Sequence, residues 1–186
     1  MNRHLPGKIA LVGNAPCELG KGRGDEIDNH EHVLRFNNFV TDGFEKDYGK
    51  KITHWVTTFW VDIKRRKDFK GKMICPLPLN SPGFLENYHL QNYRGAHDLH
   101  GANELCNHFI PYDVWCDLLL LNPKPSAGLM MIYWLHVCGK IPDITLYGFD
   151  FFKNKRNQHY FEKSRNRSHN PMLEKLIVRG IFASCR

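Results

Sequence analysis

His169 and Glu174 are the pair of side chains in this 186-residue sequence best suited to moving a proton. An imidazole exchanges protons near neutral pH, and a carboxylate beside it would fix its tautomer and raise its basicity. The two stand five residues apart at the start of a helical stretch, a spacing that does not by itself bring them into contact. His159 and Tyr160 form a second candidate pair in a basic, loop-like segment. Exposed loop histidines are mostly inert, and the chain has eleven histidines, so neither pair stands on residue type alone.

Ligand-holding residues come next. Gly13-Asn14 ends an apolar strand, and Asn37-Asn38 ends the next one in the same way. Ligands in open α/β sheets sit beyond the carboxyl ends of strands, and an Asn there offers both donor and acceptor. Ser126-Ala127-Gly128 opens an apolar helix. Ser126 is a good N-cap, and small residues after it would let an anionic group reach the first-turn amides and the positive end of the helix dipole. A plain cap accounts for Ser126 but not for the two small residues that follow.

Gly20-Lys21-Gly22-Arg23-Gly24 looks like a phosphate loop yet breaks both common patterns. The Walker form needs Gly where Ala15 stands and Ser or Thr where Gly22 stands, and the dinucleotide fingerprint fails at Ile27. It serves as a flexible turn whose amides, beside Lys21 and Arg23, could hold phosphate. No metal site is expected: the six Cys contain no Cys-x-x-Cys, Asp-x-Asp is absent, and His97-Asp-Leu-His100 is an isolated pair. No cofactor is expected either.

The elements that must position these residues read as α/β. Short apolar strands at Ile9–Val12, His32–Phe36, Ile52–Thr58, Met73–Cys75 and Asp143–Phe149 alternate with helical patterns, which favours a mostly parallel sheet flanked by helices. Asp25–His30 reads as a helical turn and Asn103–Phe109 as helical. Val114–Leu121 reads as a helix or a strand. Ala127–Cys138 is apolar nearly all round and stopped by Gly139, so it belongs inside the domain. Pro171–Ile181 is the last helix. Residues 77–98 are too rich in Pro, Gly, Asn and His for regular structure and read as a surface loop.

Length and charge set the outer bounds. One domain over residues 1–186 is expected, with 42% hydrophobic and 24% charged residues, which excludes a mostly disordered chain. The net charge of +7 predicts an anionic partner. Twelve of the 26 Lys and Arg fall in two clusters, Lys64–Lys72 and Lys153–Arg167. Neither shows an aromatic platform or a helix-turn-helix pattern, so nucleic acid is not expected. No apolar run is long enough to span a membrane and the N-terminus does not read as a signal peptide, which predicts a cytoplasmic protein with reduced thiols.

Four motifs in order carry a family resemblance. Leu11-Val-Gly-Asn-Ala15 with Ile27-Asp-Asn-His-Glu-His-Val-Leu-Arg-Phe-Asn37 resembles the large sialyl motif of the eukaryotic-type sialyltransferases. Pro125-Ser-Ala-Gly-Leu129 with Leu146-Tyr-Gly-Phe-Asp150 resembles the small motif. His159-Tyr160 resembles the third motif, and His169-Asn-Pro-Met-Leu-Glu174 has the His-x-x-x-x-Glu form of the very small motif. Arg35–Phe39 and Ser126–Gly128 are also loosely similar to patterns of the bacterial lipooligosaccharide sialyltransferases.

The resemblance implies a Rossmann-like, modified nucleotide-binding fold. It also implies an inverting, metal-independent transfer of sialic acid from CMP-sialic acid to a hydroxyl of an oligosaccharide or glycolipid acceptor. By that resemblance Gly13, Asn14 and Asn37 would hold the CMP moiety. Ser126, Ala127 and Gly128 would meet cytidine or the sugar carboxylate, and His159 with Tyr160 the departing phosphate. His169 would be the base, with Glu174 beside it. Ala127 stands where the family more often has Thr, and Ile9 stands where it has one Cys of a disulfide whose other Cys matches Cys138. The second departure favours a reducing compartment. A related donor such as CMP-Kdo, a catalytically degenerate nucleotide- or glycan-binding module, and contact of the Lys64–Lys72 cluster with an anionic membrane at its periphery remain open alternatives.

Overall fold

The computed structural model describes residues 5–58, 69–78, 108–151, 153, 158–162 and 169–184. The expected surface loop at 77–98, the His97/His100 pair and most of both basic clusters lie largely outside these residues.

Six short strands form one sheet: β1 (Ile9–Val12), β2 (His32–Phe36), β3 (His54–Val56), β4 (Lys72–Cys75), β5 (His108–Phe109) and β6 (Ile144–Tyr147). Every pairing is parallel and the order is β5-β4-β3-β2-β1-β6. The mostly parallel α/β fold expected from the alternation of elements is therefore present. The chain winds outward from β1 to β5, then returns to place β6 on the far side of β1. That reversal opens a crevice beyond the carboxyl ends of β1 and β6, where such sheets bind ligands.

Successive strand residues point to opposite faces, and β1 uses both. Ile9 and Leu11 join Leu34, Phe36, Val56 and Ile74 under three helices, α3 (Tyr112–Leu121), α4 (Ala127–Val137) and α5 (Pro171–Ala183). Ala10 and Val12 pack on the other face with Ile27 of α1 (Gly24–Asp28) and Tyr48 of α2 (Glu45–Tyr48). Val114–Leu121 is settled as helix, because Val114 and Leu118 bury a single face four residues apart.

Helix α4 carries Leu129, Met130, Met131, Ile132, Trp134 and Leu135 into the core. Its nearly unbroken apolar surface fits a helix contacted by both α3 and α5. Gly139 follows its end at φ 68°, the left-handed stop expected there. The helix expected at Asn103–Phe109 is not what the described part shows: His108 and Phe109 form edge strand β5. Two residues extend the ladder of β4, so sheet pairing outweighs the local pattern.

His54, 3% exposed in β3, supplies a pH-dependent test of this packing. Burial first, then His32, Lys72 and His108 nearby, lower its pKa to about 4. A depressed folded-state pKa means the folded state binds fewer protons. Stability is then full above the ordinary His value of 6.5 and is lost as pH falls toward 4. The loss reaches about 3 kcal/mol at most, at 1.36 kcal/mol per unit. Urea melts at pH 7.5 and 5.0 are expected to show this drop, and a His54→Leu variant a shallower one.

Candidate active site

Close backbone approach makes the crevice. Gly148, at φ 67°, turns the chain out of β6, and a Cβ there would lie 2.3 Å from the Gly13 carbonyl oxygen. A Cβ on Gly13 would lie 2.5 Å from the Gly148 carbonyl oxygen. Only glycine fits at both positions. The Gly13 N–H donates to Tyr147 O at 2.8 Å and the Ala15 N–H to Gly148 O at 3.0 Å, which extends the β1–β6 pairing past the strand ends.

Asn14 then locks β1 to the loop after β2. Its Nδ2 donates to the carbonyls of Phe36 (3.1 Å) and Asn38 (2.7 Å), and its Oδ1 is buried with no partner among the described residues. Buried acceptors are seldom left unmet, so a donor from a ligand or water belongs there. Asn37 sits at φ 46°, a left-handed conformation that Asn tolerates. Its Oδ1 accepts from the Thr58 N–H at 3.1 Å, and its backbone oxygen accepts from Trp55 Nε1 at 2.8 Å.

Opposite stands the N-terminus of α4. The Ser126 hydroxyl accepts from the Leu129 N–H at 3.2 Å, the expected cap. The same hydroxyl donates to Glu174 Oε2 at 2.7 Å, and the Ser126 N–H donates to Oε1 at 2.8 Å. Gly128 is small for a structural reason: a Cβ there would lie 2.7 Å from the Phe149 ring, which itself packs edge-on against Phe36.

A cleft of ≈ 160 Å³ lies between these walls. Nine of the ten residues singled out in the sequence line it: Gly13, Asn14, Asn37, Ser126, Ala127, Gly128, His159, His169 and Glu174. Phe149, Asp150, Phe151 and Gln158 also line it and were missed. Asp150 and Gln158 lie one residue outside recognised motifs or at their edge, and only the turn after β6 brings them in.

Two geometries differ from expectation. Tyr160 is buried and is not among the lining residues: its hydroxyl donates to the Val40 carbonyl and accepts from the Val40 N–H at 3.3 Å. Its ring stacks on Tyr48 at 3.9 Å, and its N–H donates to Asn14 O at 2.9 Å. It thus pins the His159 segment to Asn14 and to the loop after β2. His169, in turn, is oriented by a backbone carbonyl. Its Nδ1–H donates to Lys124 O at 2.9 Å, which assigns the ring lone pair to Nε2. Glu174 Oε1 lies 4.0 Å from Nδ1, too far for a hydrogen bond. Burial raises the Glu174 pKa, while the two Ser126 donors and His169 pull it back.

The glycine-rich loop is occupied from within. Gly20 N–H and Gly22 N–H donate to the two Asp47 carboxylate oxygens at 2.7 and 2.8 Å, and those bonds lower the Asp47 pKa. Lys21 and Arg23 lie 3.3 and 3.8 Å from Glu18. The loop is a turn, as read, and Asp47 takes the amides that could have held a phosphate. Arg35 is likewise structural, donating to the carbonyls of Lys51 (3.0 Å) and Tyr48 (2.6 Å).

A parallel sheet with a cleft at its switch point places the chain among the open α/β folds, which bind their ligands at that position. The profile of glycosyltransferase family 29 (sialyltransferase) matches residues 7–70. CMP-N-acetylneuraminate-beta-galactosamide-alpha-2,3-sialyltransferase 2 of Mus musculus is 45% identical over 181 residues, covering 85% of this chain and 47% of its own length. The corresponding sialyltransferase 1 of Homo sapiens is 47% identical over 176 residues, covering 84% and 48%. A crystal structure of a mammalian sialyltransferase superposes with a TM-score of 0.66 at 25% identity, covering 96% of this chain and 66% of that one. The chain is thus similar to the sialyltransferase family over most of its length and spans about half the length of these curated relatives. No helix among the described residues is long and apolar enough to cross a membrane.

Removing the Glu174 carboxylate is expected to loosen the starts of α4 and α5 together. Glu174→Ala deletes two short hydrogen bonds to a buried group, a loss of about 2–4 kcal/mol. Urea denaturation checks the value, and a change below about 0.5 kcal/mol would contradict the clamp.

Proposed function

We propose that the cleft binds a CMP-linked acidic sugar, CMP-sialic acid or the related CMP-Kdo, and transfers the sugar to a glycan hydroxyl with inversion and without a metal. The single observation that carries this reading is His169: its Nδ1–H is held by Lys124 O, and it shares one cleft with His159, two strand-end asparagines and the α4 N-terminus. The names of the relatives make a β-galactosamide or a β-galactoside the first acceptor to test.

In this mechanism the bond between the anomeric carbon and the phosphate oxygen breaks, and its electron pair leaves with CMP. The acceptor oxygen forms the new bond on the opposite face, which inverts the centre, and its proton passes to His169 Nε2. A tertiary anomeric carbon stabilises oxocarbenium character, so the leaving group needs little assistance. Hydrogen bonds from His159 and the α4 N-terminus meet the charge that grows on the phosphate, the role a metal would otherwise fill. Cytoplasmic placement at the periphery of an anionic membrane belongs to the same reading, supported by Ile9 standing where the family resemblance would place a Cys and by the net positive charge.

His169→Ala is expected to lower transfer by roughly 10²–10⁴-fold, the usual contribution of a general base. CMP should still raise the melting temperature of that variant, and EDTA should leave wild-type transfer unchanged. Full activity in His169→Ala would remove it as the base. CMP binding by the wild type without transfer or hydrolysis would instead indicate a degenerate binding module.

A further inference from the structure

We propose that Glu18 is a positioning residue for the cleft: its carboxylate holds the backbone turn after β6 in the shape that receives the ligand. The inference rests on the reading that this cleft takes a CMP-linked sugar. It assigns a role to a side chain that is not among the lining residues.

A buried carboxylate needs partners. Glu18 closes the single 3-10 turn Pro16–Glu18, shortly after Asn14, and is only 6% exposed. Taking an ionised group out of water is costly unless donors meet its oxygens, and here both are met. Oε1 accepts from the Gly148 N–H at 3.3 Å and from the Cys17 thiol at 3.5 Å. Oε2 accepts from Lys21 Nζ at 3.3 Å, with Arg23 Nε 3.8 Å away. The two cations offset the charge from the solvent side, and Gly148 meets it from within.

Gly148 is where that bond matters. One short segment grips it twice: Glu18 takes its N–H, and the Ala15 N–H donates to its carbonyl at 3.0 Å. The segment is itself braced. The Tyr48 hydroxyl donates to Ala15 O at 2.6 Å and accepts from the Glu18 N–H at 3.3 Å. The turn held in this way carries strain, because Phe151 sits at φ 54°, a left-handed conformation that bulky residues rarely adopt. Such conformations persist only where the surroundings over-determine them. Gly148, Phe149 and Phe151 line the cleft, so the grip on Gly148 sets part of the cleft wall. Without an acceptor at Oε1, the Gly148 N–H becomes a buried donor that only a shift of the turn can satisfy.

Two readouts on Glu18→Gln, Glu18→Leu and the core variant Leu118→Ala test the inference. Hydrogen exchange at the Gly148 amide is followed by NMR in the ligand-free protein, and CMP affinity is measured by calorimetry well below the melting temperature. Gln keeps an acceptor oxygen for Gly148, whereas Leu keeps the volume without one. Glu18→Leu is expected to speed that exchange and to weaken CMP binding, each by roughly 10–100-fold, the worth of a hydrogen bond to a charged acceptor. Glu18→Gln should stay within about three-fold of the wild type in CMP affinity, and this carries the prediction alone where Glu18→Leu does not fold. Leu118, fully buried in α3, is a control for lost stability, and its truncation should leave CMP affinity unchanged. Wild-type exchange and affinity in a folded Glu18→Leu overturn the inference. So does a Glu18→Gln variant as weak as Glu18→Leu, because charge rather than the bond to Gly148 would then be at work. An equal loss of affinity in Leu118→Ala overturns it as well, by reducing the effect to general stability. A wild type that does not bind CMP sinks the donor reading instead, and exchange at Gly148 still decides whether Glu18 holds the turn.

Discussion

Two hydrogen bonds between Glu174 and Ser126 hold the cleft end of this molecule together. Glu174 is in the first turn of α5, and Ser126 caps α4. A carboxylate is favourable near both helix starts, where unpaired N–H groups point outward. Bridging them fixes the angle at which α4 presents its first turn to the cleft. It also fixes the Lys124–Ser126 segment, whose Lys124 carbonyl sets the His169 tautomer. The glutamate acts on the histidine through the backbone it anchors.

The same economy governs the other side of the cleft. Tyr160 reaches Asn14, Val40 and Tyr48 at once, and Tyr48 donates in turn to the Ala15 carbonyl at 2.6 Å. Burial pushes the Tyr48 hydroxyl well above the ordinary tyrosine range, which keeps it a donor at any physiological pH. His159, one residue before Tyr160, is therefore carried on a rigid aromatic base, while its own Nδ1 sits 3.0 Å from Glu162 Oε1. Both walls are built the same way. A residue that touches the ligand space is flanked by one that is tied into the core.

Much of this was legible in the sequence because it depends on local chemistry. Strand-end asparagines, a Ser cap before small residues and a Gly stop after an apolar helix are read from neighbours within a few positions. What could not be read depends on distant partners. Gly20 and Gly22 read as a flexible turn, and nothing nearby reveals that Asp47, 27 residues after Gly20, fills their amides. Gly128 looked like a concession to a ligand until Phe149 came to rest above it. Asp150 closes the Leu146–Asp150 stretch in the sequence, and only the winding of the sheet brings it to the cleft. The two-residue strand β5 was read as helix because its pairing with β4 spans more than thirty residues of sequence.

The position of Ile9 shows how the fold does without the covalent tie that the family resemblance would place between positions 9 and 138. Ile9 is fully buried at the start of β1, between His32 of β2 and Ile144 of β6. Cys138 caps the end of α4 and packs against the same apolar cluster that holds Ile9. Burying an isoleucine side chain is worth about 1.5–3 kcal/mol. A disulfide typically contributes about 2–4 kcal/mol, largely by restricting the unfolded chain. The substitution therefore returns much of the lost stability through packing and does so without oxidation. It also shifts the stabilising effect from the unfolded state to the folded core, directly beneath the strand whose carboxyl end delivers Gly13 and Asn14 to the cleft.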